Sequence, residues 1–117
     1  MAQYKHLPIY RTSYDLVTRI MHATKHFPRE HKYTLGQEMK NAATGIVLEV
    51  YRANSRAGNQ RREHITDILE RIQMLEVSMR LAHDLRILPR KQYALLAEIT
   101  DRLGRQAQGW LKSTKAV

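Results

Sequence analysis

Residues 61–88 constrain what this chain can fold into. Ile65, Ile68, Ile72, Leu75, Met79, Ala82 and Leu85 recur at intervals of three and four, and neither Pro nor Gly interrupts the run. An α-helix turns once in about 3.6 residues, so this spacing draws one narrow apolar stripe along roughly 40 Å of helix. A helix with a single stripe depends on packing for its stability. The remaining segments are therefore read for what covers it.

Three others carry a helical period. In residues 9–27 the stripe passes through Tyr10, Tyr14 (or Ser13), Val17, Ile20, Met21 and Thr24, and Pro28 ends the helix. Thr34 is placed as an N-cap, with Gln37 three residues on completing a capping box. The helix that follows, at 35–56, runs through Met39, Ala42, Ala43, Ile46, Val47, Val50 and Tyr51. Leu48 widens its apolar face, which predicts contact with another subunit as well as within the bundle. Ala42, Ala43, Thr44 and Gly45 form a small-residue patch open to close approach.

Gly58 and Asn59 punctuate the next boundary as C-cap and N-cap candidates, placing the third helix at 60–87. Pro89 suits the first turn of a fourth, 89–112, through Tyr93, Leu96, Ile99, Leu103, Ala107 and Trp110. Four amphipathic helices with short connections and no strand pattern predict an all-α fold. It is an antiparallel up-down-up-down four-helix bundle, one domain over 1–117.

Cysteine is absent, which excludes disulfides, thiolate metal sites and a cysteine nucleophile, and suits a cytoplasmic location. The first eight residues lack the apolar core of a signal peptide, and no apolar run is long enough for a membrane span. Twenty Lys and Arg against eleven Asp and Glu give a net charge of +9, a field that attracts polyanions.

That charge is uneven. Mid-helix cations have acids four residues away: Arg19 with Asp15, Arg71 with Asp67, Arg80 with Glu76. The bundle ends are less compensated. One carries Lys25, Arg29, Lys32, Arg86, Arg90 and Lys91; the other carries Arg52, Arg56, Arg61, Arg62 and Lys112 among its cations. Cations at helix C-termini complement the dipole, but Arg61, Arg62, Arg90 and Lys91 open helices at the positive end. The candidate nucleic-acid-binding residues are accordingly Arg52, Arg56, Arg61, Arg62, Arg86, Arg90, Lys91 and Lys112. With no recognition-helix turn, zinc-finger spacing or stacking motif, the expected binding is to RNA or DNA through phosphates, with low sequence specificity. No membrane partner is expected, because the cations gather at ends and not along one face.

Catalytic patterns are missing. A di-iron bundle needs Glu-x-x-His on two helices, and none of the eleven acidic residues has His three positions on. His22 and His26 share a helical face but lack the metalloprotease Glu. Glu63, Asp67 and Glu70 read as a solvated acidic face, and no serine has a nucleophile-elbow context. No catalytic residue, cofactor or metal is assigned, and the chain is read as a non-enzyme.

Several collinear segments carry a likeness. Phe27-Pro28-Arg29-Glu30-His31-Lys32-Tyr33-Thr34-Leu35-Gly36-Gln37 resembles the signature connection of the accessory variability determinant (Avd) family of diversity-generating retroelements. Arg80-Leu81-Ala82-His83-Asp84-Leu85-Arg86, Lys91-Gln92-Tyr93 and Gly109-Trp110-Leu111-Lys112 resemble its later helices. Bundles encoded in ribosomal RNA intervening sequences share the Phe-Pro connection. They typically carry Asn-Ile-Ala-Glu-Gly late in the second helix, where this chain reads Glu49-Val50-Tyr51-Arg52-Ala53-Asn54. The resemblance implies a non-catalytic homopentamer that binds nucleic acid and the retroelement reverse transcriptase, supporting adenine-mutagenic cDNA synthesis. The alternative is a structural or scaffolding bundle of the intervening-sequence type.

Overall fold

The computed structural model describes residues 4–116. A 3-10 turn, Tyr4–His6, leads into α1 (Pro8–Lys25), a single-turn α2 (Arg29–Lys32), α3 (Leu35–Asn54), α4 (Gly58–Asp84) and α5 (Arg90–Ser113). The four long helices alternate in direction. Helix α1 packs on α3 and α5, and α4 packs on the same two from the opposite side, so α1 and α4 are diagonal neighbours. The molecule measures 46 × 21 × 20 Å. This is the predicted up-down-up-down bundle.

On α4 the expected stripe is buried from Ile65 to Ala82. Its last member differs: Leu85 is exposed and Leu88 fills the core instead. The chain reverses between them. The Ile87 N–H donates to the Ala82 carbonyl at 3.0 Å and the Arg86 N–H to the His83 carbonyl at 2.9 Å. That bond pair is a Schellman motif, which puts Arg86 in the left-handed region at φ 64° and swings Leu88 inward.

The α1 stripe is rotated from its predicted phase. Ile9, Thr12, Ser13, Leu16, Ile20, Ala23 and Thr24 are buried, while Tyr14 and Met21 face solvent. Thr12 and Ser13 tolerate burial because their hydroxyls donate to the Pro8 and Tyr10 carbonyls at 3.0 and 2.8 Å. Truncating a fully buried side chain such as Leu16 to Ala should cost about 2–5 kcal/mol.

The boundaries also carry corrections. Thr34 does not form the capping box: its hydroxyl donates back to the Glu30 carbonyl at 3.3 Å, and the Gln37 amide donates to Asn41 at 2.9 Å. The one-turn α2, whose Lys32 N–H donates to the Pro28 carbonyl at 3.0 Å, supplies the lead-in instead. Gly58 opens α4 at φ 58°, a left-handed conformation costly for other residues.

Candidate nucleic-acid interface

The two basic ends hold their cations differently. At the α3–α4 turn, Arg61 donates from Nε to the Ala53 carbonyl (2.9 Å) and from Nη2 to the Asn54 carbonyl (3.3 Å). Its guanidinium lies 5.7 Å from the centre of the Trp110 ring. Arg62 Nη1 donates to the Leu111 and Thr114 carbonyls at 2.9 and 2.7 Å. All these acceptors lie at the C-terminal ends of α3 and α5, where helices leave carbonyls unsatisfied.

This geometry corrects the electrostatic expectation for the pair. In an antiparallel bundle the start of α4 lies beside the negative ends of its neighbours. Arg61 and Arg62 oppose their own helix dipole and complement two others.

At the same end Arg52 donates from Nη1 to Glu49 Oε1 at 2.6 Å, and Arg56 to the Ser55 hydroxyl at 3.0 Å. Glu49 is buried and also bonds His64 Nδ1 through Oε2 at 2.8 Å. Burial alone would raise its pKa, but hydrogen bonds from His64 and Arg52, with a share from Asp67, hold the carboxyl below its ordinary 4.5. Beside it Arg71 Nε donates to Asp67 Oδ2 at 2.7 Å, which raises the guanidinium's pKa. Asp67 is therefore part of a half-buried ionic cluster between α3 and α4, not of a solvated acidic face. Lys112 is exposed and lines a shallow groove of about 510 Å³ beside Gln108 and Arg105.

The opposite end is built from the α1–α3 connection and the α4–α5 connection. Arg86, Arg90 and Lys91 are exposed, and their side chains make no hydrogen bond or ion pair among the described residues. The same holds for Lys25, Arg29 and the half-exposed Lys32. Nearby acids are engaged elsewhere, Glu30 with His31 at 3.7 Å and Asp84 with Arg80 at 3.5 Å. The latter replaces the expected Arg80–Glu76 pair; Glu76 instead accepts the Thr100 hydroxyl at 3.1 Å.

Two residues that charge counting passes over stiffen this end. The His83 ring stacks on Tyr93, centroids 4.6 Å apart and planes at 18°, joining α4 to α5 below their connection. Both fall in segments that carry the family likeness, and Tyr93 also opens the apolar stripe of the last helix. His22 and His26 are exposed, and no group of three or more His, Asp or Glu side chains among the described residues is placed to hold a metal ion. No helix of the described residues is long and apolar enough to cross a membrane.

Comparison with known proteins agrees with this architecture. A structure from Bacteroides thetaiotaomicron, a protein of unknown function from the S23 ribosomal protein family, superposes with a TM-score of 0.82 at 15% identity. The match covers 90% of this chain and 96% of that one, and it establishes a shared fold. No curated protein matches. The model of the bAvd-like family matches residues 7–114, almost the full length, and the chain belongs to that family.

Proposed function

We propose that this chain is a non-catalytic accessory protein of a diversity-generating retroelement. It binds RNA or DNA through phosphates and holds the retroelement reverse transcriptase during mutagenic cDNA synthesis. It acts in the cytoplasm as a homo-oligomer, a pentamer by family likeness. The observation that carries the nucleic-acid reading is the set of unpaired cations at one end, Arg86, Arg90 and Lys91 with Lys25, Arg29 and Lys32. Clustered, exposed and uncompensated cations favour a phosphate backbone and offer no base-specific readout.

Fluorescence anisotropy with labelled RNA and DNA of mixed sequence tests it. Binding should be tight at low salt and fall steeply as salt rises, by about 0.9 log units in affinity per log unit of salt for each duplex phosphate neutralised. Replacing Arg86, Arg90 and Lys91 together with Glu should abolish it. Unchanged affinity in that variant would place binding elsewhere. Co-purification with the reverse transcriptase of the same locus tests the second partner.

A scaffolding reading has one observation in its favour: Arg61 and Arg62 serve the fold itself. It predicts no retention of nucleic acid at physiological salt.

A further inference from the structure

Helix α4 has a second apolar line that the bundle does not use. Met74, Val77 and Leu81 are 66%, 69% and 48% exposed on the side away from the core. Toward the start of the helix the same line continues through Glu70, Thr66 and Glu63, at intervals of three and four. Beside it, between α3 and α4, runs a groove of about 630 Å³ walled by Glu38, Ala42, Glu70, Met74, Val77 and Ser78. The carboxylates of Glu38, Glu63 and Glu70 have no ion-pair or hydrogen-bond partner among the described residues.

Across the bundle, α1 carries the counterpart. Arg11, Tyr14, Thr18, Met21 and Lys25 are spaced three, four, three and four, which sets them on one line. Tyr14 and Met21 are 53% and 43% exposed, and Arg11 and Lys25 are exposed without partners among the described residues. No acid lies on this line. One face is apolar and acidic; the diagonal face is apolar and basic.

We infer that these two faces dock on each other between copies: the α1 line of one chain seats against the α4 line and its acidic groove on the next. A chain of net charge +9 repels its own copies, so an apolar contact between them needs local anions set against cations. These lines supply both. Because the contact pairs different surfaces on opposite sides of the molecule, it is head-to-tail and closes only as a ring. It moves the subunit contact from the α3 face marked by Leu48 to α1 and α4. The inference rests on the self-association proposed above and assigns its surfaces.

Two double variants test it by light scattering, Y14E with M21E on α1 and M74K with V77K on α4. All four side chains are exposed, so each variant should keep the helical far-UV circular dichroism of the unmodified chain. The unmodified chain should show a multiple of its 13.7 kDa mass and each variant the mass of one chain. Mixed in equal amounts, the variants should form a species of twice the chain mass, because each retains the face the other has lost. A mixture that stays monomeric overturns the head-to-tail contact. Loss of assembly in the α4 variant alone would indicate a like-to-like α4 contact and also overturn it. If both variants keep the full mass, these faces are wrong although self-association stands; a monomeric unmodified chain removes both.

Discussion

Arg71 covers Gly45: its guanidinium fills the space on α3 that a β-carbon at residue 45 would occupy, while its Nε holds Asp67 at 2.7 Å. The small-residue patch on α3 therefore admits a side chain from α4. This makes a glycine in mid-helix depend on an arginine in the next helix.

Replacing Gly45 with Ala tests that dependence. Alanine is favoured over glycine inside a helix by about 1 kcal/mol. Displacing the guanidinium strains an ion pair that is more than one-third exposed on both sides and worth only about 0.2–1 kcal/mol. Alone, G45A should change stability by less than about 0.5 kcal/mol in urea melts. In an R71A background it should stabilise by about 1 kcal/mol. Equal effects in the two backgrounds would show that the residues are not coupled.

The cations of the two ends should separate in the same measurement. R62A removes the donor to the Leu111 and Thr114 carbonyls and should cost about 1–2 kcal/mol. R90A and K91A remove no side-chain hydrogen bond or ion pair among the described residues and should stay within about 0.5 kcal/mol. Nucleic-acid affinity should rank the substitutions the other way, with R90A and K91A the more damaging. A stability loss from R90A equal to that from R62A would mean that Arg90 also serves the fold.

These contrasts show what the chain's own order makes readable. The inner stripe of α4 was legible because every buried position from Ile65 to Ala82 is apolar and regularly spaced. The phase of α1 was legible only in part: Ser13, Ile20 and Thr24 were placed on its stripe and are buried, but Thr12, whose hydroxyl is satisfied on its own backbone, reads as surface in a hydropathy pattern. Leu88 replaced Leu85 because a left-handed Arg86 breaks the helical count between them. The roles of Arg61 and Arg62 depend on which helix ends lie alongside; Arg62 and Thr114 are 52 positions apart. Charge counting could find the basic ends but not which cations were already engaged.

Arg86 itself yields a trade between stability and binding. At φ 64° a side chain meets steric resistance that glycine avoids, and most helices that end this way use glycine. R86G should stabilise the chain by about 0.5–1 kcal/mol in urea melts, while lowering nucleic-acid affinity and the steepness of its salt dependence. Unchanged affinity would remove Arg86 from the interface and leave its conformation without a functional reason.

Glu49 should make part of the stability depend on acidity. Burial opposes its ionisation, yet the hydrogen bonds from His64 and Arg52, with Asp67, keep its folded-state pKa below 4.5. A depressed carboxyl pKa means that the unfolded chain binds the proton more readily. The stabilisation is therefore complete above the unfolded pKa and is lost as the pH falls through the folded one. E49Q keeps the size of the side chain and removes its charge; near neutral pH it should cost about 1–2 kcal/mol. The gap between E49Q and the unmodified chain should be full above the unfolded pKa and should narrow as the pH falls below it and through the lowered folded one. Urea melts across that range check it. A gap of constant size would show that the loss comes from shape and not from charge.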